Sequence, residues 1–120
     1  MSVYVEFPII ITQDEVNTFC LILEDQNPQH NPNNQKVVIP GMLIAAKALG
    51  KPDSSFVTWL IEQQVRFKKI IYIDEPIIVR HTLLKERNSS KGLLQEVEIS
   101  VKVGEEIRYT GHMKTLKTIV

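Results

Sequence analysis

An acidic residue and a histidine lie close together in the irregular stretch 24–30, of sequence EDQNPQH. Asp25 and His30 are five residues apart, and Pro28 limits the freedom of the backbone between them. A carboxylate and a neutral imidazole can together hold a water molecule, remove its proton and return a proton to a neighbouring atom. The stretch therefore predicts a water-activating pair. The alternative is a turn in which Asp and Asn-Pro occur for backbone reasons alone.

A glycine at the start of an apolar run supplies a second chemical feature. The sequence IPGM at 39–42 leads into a run of strong helix formers. The first N–H groups of a helix lack intrahelical partners and lie at the positive end of its dipole, so they can stabilise an enolate oxygen that develops on a thioester carbonyl. Gly41 would let a substrate approach this point closely. The alternative is an ordinary Pro-Gly turn at a helix start.

Hydrophobic periodicity and turn residues divide the chain into two helices and five strands. Thr12 and Glu15 form a capping box at the start of the first helix, and Pro8 suggests that the first strand is an edge strand. The predicted order is a strand over Val3–Ile11, a helix from Thr12 to near Glu24, a loop over Asp25–Gln35, a helix over Met42–Leu49, and strands over about 55–72, 76–87, 93–103 and 106–116.

Four consecutive strands joined by short turns indicate an antiparallel sheet. The helix over Met42–Leu49 is apolar nearly all round, which is typical of a buried helix, and only this element can fill the concave face of the sheet. The predicted class is α+β. Its architecture is a hot-dog fold, an antiparallel β-sheet wrapped around a central buried α-helix, with residues 1–120 forming a single domain.

The two motifs together resemble those of the MaoC-like dehydratases and R-specific enoyl-CoA hydratases. That family has an acidic residue followed by Asn-Pro-x-His, and then a hydrophobic stretch ending in Gly-Met at the hot-dog helix; the resemblance covers most of the chain in the order of its elements. It implies that Asp25 and His30 activate water for addition across the double bond of an enoyl thioester, and that the Gly41 N–H binds the thioester carbonyl. Three further residues of the motifs are assigned to substrate binding: Asn27, Pro40 and Met42.

The resemblance also implies a homodimer with two sheets joined edge to edge, an acyl-thioester substrate on coenzyme A or an acyl carrier protein, and no metal or redox cofactor. The chain departs from the family in two ways. Gly41 follows His30 by only eleven positions, where the family has a longer overhanging segment, and the region Ala45–Leu49 lacks the serine that orients the aspartate in some hydratases. A thioesterase and a non-catalytic acyl-thioester-binding subunit therefore remain as alternatives.

Charge and cysteine content limit the other functional classes. Fourteen Lys and Arg balance fourteen Asp and Glu, so the chain lacks the net positive field that non-specific nucleic-acid or anionic-membrane binding would use. The single cysteine excludes an intramolecular disulfide and a cysteine-based zinc site. No apolar run reaches the roughly 18–20 residues that span a bilayer. We therefore expect a cytoplasmic protein.

Other side chains with chemical potential are given structural interpretations. His81 and His112 lie on alternating strands, where hydrogen-bonded or solvated histidines are expected, and Cys20 lies on the apolar stripe of the first helix. Lys47 is expected to reach solvent or a partner subunit; the alternative is that it faces the site and favours the charged form of the aspartate.

The serine pair and the basic side chains are not assigned a catalytic role. The pair at 54–55, Ser54 and Ser55, lacks the context of a nucleophile elbow, so serine hydrolase chemistry has little support. Five basic residues either contact the phosphates of coenzyme A or form a solvated face: Lys51, Arg66, Lys68, Lys69 and Arg80.

Overall fold

Five strands and two helices make up the part of the chain that the computed structural model describes, residues 3–50 and 55–119. The helices are α1 (Gln13–Leu23) and α2 (Gly41–Ala48). The strands are β1 (Tyr4–Ile9), β2 (Phe56–Phe67), β3 (Ile77–Ser89), β4 (Gly92–Val103) and β5 (Glu106–Ile119). They form one antiparallel sheet in the order β1-β3-β4-β5-β2, so that β1 and β2 are its edges.

Alternate side chains of the central strands pack against α2, as the period of two in the sequence predicts. Val97, Ile99 and Val101 of β4 are buried, whereas Glu98 between them is exposed. The sheet-facing side of α2 is buried as well, through Leu43, Ile44, Ala45 and Ala48. Burying each large aliphatic side chain contributes about 1.5–3 kcal/mol, so this contact holds α2 against the sheet. The predicted α+β class and hot-dog arrangement are confirmed, and β1 is an edge strand as Pro8 suggests.

The prediction that the central helix is buried nearly all round is wrong on one side. Met42 is 54% exposed and Ala46 is also exposed, because only one face of α2 contacts the sheet. The opposite face lies towards solvent in a single chain.

The alternative in which Lys47 faces the site is wrong, and its other interpretation is incomplete, because the side chain is 36% exposed but pairs with Glu15. Its Nζ lies 2.5 Å from Glu15 Oε2, so the side chain joins the last turn of α2 to the first turn of α1. This hydrogen bond, and those that the Thr12 N–H and hydroxyl donate to Glu15 Oε1, lower the pKa of the Glu15 carboxyl despite the opposing effect of burial. Lys47 is therefore engaged at the N-terminal end of α1, whereas Asp25 follows the C-terminal end of that helix.

The second predicted strand, 55–72, ends at Phe67, and the chain beyond it has a different partner. The Ile39 N–H donates to the Ile71 carbonyl at 2.8 Å, and the Ile73 N–H donates to the Val37 carbonyl at 3.1 Å. Residues 71–73 thus pair with residues 37–39, the segment that leads into α2. This pairing fixes the backbone between the predicted histidine motif and the predicted glycine motif.

Candidate active site

Asp25 is held at the C-terminal end of α1 by two backbone hydrogen bonds of the Schellman type. Its N–H donates to the Cys20 carbonyl at 2.9 Å, and the Glu24 N–H donates to the Leu21 carbonyl. Glu24 has a left-handed backbone conformation, with φ 54°, which glycine usually occupies. In this motif an apolar residue commonly follows and packs back on the helix. A carboxylate takes that position here and borders an open cavity instead.

Successive side chains of the motif shape the loop after α1. Asp25 Oδ1 accepts a hydrogen bond from the Asn27 N–H at 3.0 Å, and Asn27 Oδ1 accepts one from the Gln29 N–H at 3.2 Å. The second bond caps a single 3₁₀ turn, Pro28–His30, with proline at its start. Asn27, predicted to bind substrate, therefore has a loop-shaping role, and it also lines the cavity. The turn brings His30 back towards Asp25.

His30 is buried, with 7% of its surface exposed, and both of its ring nitrogens have defined neighbours. Nδ1 lies 2.5 Å from the Val38 carbonyl oxygen. Because a carbonyl can only accept, Nδ1 carries the proton, and Nε2 of the neutral ring presents a lone pair. Nε2 lies 3.5 Å from Asp25 Oδ2. Two hydrogen-bond acceptors thus converge, an arrangement that can share one donor molecule.

Asp25 and His30 border one cavity of about 960 Å³. Its other lining residues come from the last two turns of α1 and from the loop: Asn17, Cys20, Leu21, Glu24, Gln26, Asn27, Pro28, Asn31 and Pro32. The lining contains carboxylates, amides and a thiol, but no lysine or arginine. It can hold a neutral polar or partly apolar group, whereas a phosphate would have to bind elsewhere.

Gly41 lies at the first position of α2, in contact with the edge of the sheet. A Cβ built on it would lie 3.0 Å from the ring of Phe67. The carbonyl of Pro40 accepts the N–H groups of Leu43 and Ile44, and no acceptor among the described residues meets the N–H of Gly41. That N–H is therefore available for a ligand.

The structure brings Asp25 and His30 together. The hydrogen bond from His30 to the Val38 carbonyl connects this pair to the segment that leads into α2. The carbonyl that binds His30 belongs to Val38, three residues before Gly41 in the chain. Gly41 itself does not line the cavity that the pair borders in a single chain. Pro40 is buried and Met42 is more than half exposed. Pro40, Gly41 and Met42 are therefore near Asp25 and His30 along the chain. In a single chain, however, they do not border the cavity that Asp25 and His30 border.

The other two histidines have structural partners, as predicted. His81 Nε2 lies 2.6 Å from the Ala48 carbonyl at the end of α2, and the ring packs edge-on against Phe7. His112 Nε2 lies 3.8 Å from a carboxylate oxygen of Glu96 on the outer face of the sheet. Neither borders the cavity of Asp25 and His30.

The predicted basic residues fall into two groups. Lys69 pairs with Glu106, and Arg80 pairs with Glu6 and lies over the ring of Tyr4. Arg66 and Lys68 are exposed and form no ion pair with other described residues. Two further predictions, the contact of Lys51 with phosphate and the assessment of Ser54, lie outside the described residues.

The interpretation of Cys20 as core packing alone is corrected. Its side chain is partly buried against the core, but it also borders the cavity beside Asp25. Burial, and to a lesser extent the negative charge of Asp25, raise the pKa of the thiol. Helical spacing could have indicated this position, because Asn17, Cys20 and Glu24 recur at intervals of three and four on the face that leads to Asp25.

We expect the alkylation rate of the Cys20 thiol to depend on the negative charge of Asp25. Only the thiolate is alkylated, so a raised pKa should make iodoacetamide react with the folded protein at pH 8 more slowly than with an unperturbed thiol. Asp25→Asn removes one cause of the raised pKa and should speed the reaction. Mass spectrometry of samples quenched over time measures both rates.

Glu24→Gln is the matched control for this measurement. It removes a carboxylate from the same cavity lining, but one that does not shift the thiol pKa, so its alkylation rate should equal that of the wild-type protein. Equal rates for all three proteins would contradict the placement of the Asp25 carboxylate beside Cys20.

No family model and no curated protein matches the chain in sequence. Solved structures match it well. The (R)-hydratase from A. caviae involved in PHA biosynthesis has a TM-score of 0.77 and 18% identity, over 96% of this chain and 94% of that chain. R-hydratase PhaJ1 from Pseudomonas aeruginosa has a TM-score of 0.72 and 18% identity, over 99% and 86%. The HadBC complex of Mycobacterium tuberculosis, a 3R-hydroxyacyl-ACP dehydratase, has a TM-score of 0.72 and 11% identity, over 98% and 96%.

These likenesses define the class of structure: the chain has the hot-dog fold. Among the proteins that share it are R-hydratases and a MaoC-like dehydratase, so the resemblance drawn from the two motifs is confirmed at the level of the fold. At the identities found, activity has to be argued from the site itself.

The described residues contain no candidate for a membrane-spanning helix or for a metal site. In residues 3–50 and 55–119, no helix combines the length and apolar character needed to cross a membrane. Over the same residues, no three side chains of His, Cys, Asp or Glu come together in an arrangement that could hold a metal ion.

Proposed function

We propose that the protein is a hydro-lyase that reversibly hydrates a trans-2-enoyl thioester to the 3-hydroxyacyl thioester. The observation that carries this proposal is the convergence of Asp25 Oδ2 and His30 Nε2, 3.5 Å apart at the border of one cavity. The Val38 carbonyl supports it, because it fixes the tautomer in which Nε2 is a free acceptor. Two acceptors, both without a proton, are suited to orient the two hydrogens of a single water molecule.

In the hydration direction, the pair acts as a general base on this water. The water oxygen forms a bond to the β-carbon of the enoyl group while one of its protons passes to the pair, and the electrons of the double bond move to the thioester as an enolate. The pair then returns a proton to the α-carbon. Atoms and charges balance: one water is consumed, and the reverse sequence releases it. A neutral imidazole beside a carboxylate suits both directions, because the pair accepts a proton from water in hydration and returns it in dehydration.

The enolate oxygen requires a donor, and we assign this role to the Gly41 N–H. This group begins α2, has no acceptor among the described residues, and lies at the positive end of the helix dipole. The substrate would extend from the cavity of Asp25 and His30 along the segment 38–41 to the start of α2. Pro40 and Met42 would then line the path on either side of Gly41.

The proposal includes the carrier, the cofactors and the assembly. The acyl group is carried by coenzyme A or by an acyl carrier protein, and no metal or redox cofactor takes part, since the step needs only proton transfer and an oxyanion donor. The active form is a homodimer with the sheets joined at their edges. HadBC, which shares the fold, is itself a complex. The expected cytoplasmic location stays a prediction.

Crotonyl-CoA tests the proposal directly. The purified protein should lower the ultraviolet absorbance of the conjugated enoyl thioester, and the product should be 3-hydroxybutyryl-CoA on chromatography. A thiol reagent should detect no release of free coenzyme A from crotonyl-CoA or from a saturated acyl-CoA. Release of thiol from both would instead identify a thioesterase. Stoichiometric binding without turnover would identify a non-catalytic acyl-thioester subunit.

A further inference from the structure

A short β-bridge leaves the backbone groups of Val38 free to hold His30. Val38 lies opposite Tyr72 where residues 37–39 pair with residues 71–73. The two hydrogen bonds of this bridge lie on either side of Val38 and Tyr72, so the N–H and C=O groups of these two residues point outwards, away from each other. Each side of the bridge therefore needs hydrogen-bond partners of its own.

On the side of Val38, both outward groups bind the turn that contains His30. The Val38 N–H donates to the Gln29 carbonyl at 3.0 Å, and the Val38 carbonyl accepts the hydrogen bond from His30 Nδ1 at 2.5 Å. The position of Val38 therefore determines where the ring of His30 lies and which of its nitrogens carries the proton.

On the side of Tyr72, both outward groups bind Glu75. The Tyr72 N–H donates to Glu75 Oε1 at 3.0 Å, and the Glu75 N–H donates to the Tyr72 carbonyl at 3.1 Å. These two bonds close a turn over residues 72–75. Glu75 thus fixes the face of the bridge that points away from His30.

Arg108, near the start of β5, holds Glu75 and the chain that leads to the bridge. Its Nη2 donates to Glu75 Oε2 at 3.2 Å, and its Nη1 donates to the Ile70 carbonyl at 2.7 Å. The Arg108 carbonyl accepts two further N–H groups, those of residues 68 and 69. The side chains of Arg108 and Glu75 are only 16% and 22% exposed, so salt screens this pair less than a surface pair. Arg108 therefore connects the bridge to the sheet.

We infer that Glu75 and Arg108 are positioning residues, which hold Val38 where its carbonyl keeps the proton of His30 on Nδ1. The inference rests on the proposed function, in which His30 Nε2 must be free to accept a proton. Neither Glu75 nor Arg108 borders the cavity of Asp25 and His30. Both act through the backbone of the bridge.

The competing acceptor for the proton of His30 is Asp25. Its Oδ2 lies 3.5 Å from Nε2, and its negative charge favours a proton on that nitrogen. The Val38 carbonyl favours the proton on Nδ1 instead. A displaced Val38 weakens this bond and shifts the ring towards the tautomer with Nε2 protonated, which cannot act as a base.

Nuclear magnetic resonance of histidine labelled with nitrogen-15 measures the tautomer directly. At about pH 8.5, where histidine rings are ordinarily neutral, wild-type His30 should carry its proton on Nδ1. His81 is an internal reference for the opposite tautomer, since its Nε2 donates to the Ala48 carbonyl. Glu75→Gln keeps an acceptor for the Tyr72 N–H but lacks the charge that binds Arg108, and Glu75→Ala lacks both. The Nε2 resonance of His30 should move towards that of a protonated nitrogen, further in the alanine variant.

Crotonyl-CoA kinetics provides a second readout. Glu75→Ala should lower kcat about tenfold or more, because the base is misplaced, and should change KM less than about twofold, because the cavity is untouched. The double variant E75L/R108M should have the same effect. It guards against unfolding, since it removes both charges of the pair and leaves neither unpaired and partly buried.

Glu106→Gln is the matched control. Glu106 is the other carboxylate that contacts Arg108, but it is 42% exposed and also pairs with Lys69, on the side of Arg108 away from the bridge. Its replacement should leave both kcat and the His30 spectrum unchanged. Equal effects of Glu106→Gln and Glu75→Ala would contradict the role given to Glu75.

The two readouts separate this inference from the proposed function. A wild-type protein that does not hydrate crotonyl-CoA would overturn the proposed function alone, because the spectra test the position of His30 without turnover. An unchanged His30 spectrum in folded Glu75→Ala and E75L/R108M would overturn the positioning role, whether or not the wild-type protein is active. A rise in KM with kcat unchanged would overturn it as well.

Discussion

The variants Asp25→Asn and His30→Asn should each hydrate crotonyl-CoA more slowly than the wild-type protein. We expect kcat to fall by a factor on the order of a hundred or more. An asparagine at 25 can still accept the Asn27 N–H and keep the turn, but it is no longer a base. An asparagine at 30 can still donate to the Val38 carbonyl, but it lacks Nε2. Both variants therefore remove proton transfer while preserving the hydrogen bonds that shape the loop.

The choice of asparagine at 30 matters because alanine would combine two effects. His30→Ala should be at least as slow, but it leaves the buried Val38 carbonyl without a donor, which costs about 1–3 kcal/mol of stability. His81→Asn is the matched control, since His81 also contacts a backbone carbonyl, that of Ala48, away from the cavity. It should lower the melting temperature without lowering kcat. Equal kcat values for wild-type protein and the variants at 25 and 30 would remove the catalytic assignment.

Combining the two substitutions shows whether the residues act on one water. Residues that work as a unit have strongly non-additive effects. The double variant of Asp25→Asn and His30→Asn should therefore be no slower than the slower single variant, within about threefold. Rates that multiply would indicate that the two side chains act at separate points of the reaction.

Replacing Gly41 by proline should have the second large effect. Proline is well tolerated at the first position of a helix, where its missing N–H has no intrahelical acceptor. The preceding residue, Pro40, has ψ 131°, which a following proline accepts. Gly41→Pro thus removes one proposed oxyanion donor and keeps the helix. The loss of such a donor costs about 10²–10³ in kcat.

Gly41→Ala is the matched control, because it adds the same Cβ and keeps the N–H. Its methyl group would lie 3.0 Å from the Phe67 ring, which is half exposed and can move slightly. We expect a smaller loss, mainly in KM, since the methyl group hinders approach of the thioester. Steady-state kinetics on both variants separates the effects. If proline and alanine reduced kcat equally, the Gly41 N–H would not be the donor.

The fold could be predicted from local patterns because each element carries its own signal. The Thr12 capping box marks the start of α1, and the alternation around Val97 to Val101 marks β4 and its buried face. The end of β2 could not be predicted in the same way. Ile70 and Ile71 continue the β-branched composition beyond Phe67, but Ile71 pairs with Ile39, a partner distant in sequence.

Those features of the site that lie within one short segment could be predicted from the sequence. Those that depend on contacts between distant segments could not. The Asp25 and His30 pair lies in one short loop, so its spacing was visible. The Val38 carbonyl, which determines the tautomer of His30, is a backbone atom with no sequence signal. The Lys47 and Glu15 pair needs the crossing of two helices, and the left-handed Glu24 occupies a position for which sequence patterns favour glycine.

The most direct test of the central claim is a crystal structure of the Asp25→Asn variant with bound crotonyl-CoA. We expect one water within hydrogen-bond distance of both the side chain at 25 and His30 Nε2, facing the β-carbon, with the thioester oxygen on the Gly41 N–H. An enoyl group bound with its β-carbon remote from both side chains would contradict it.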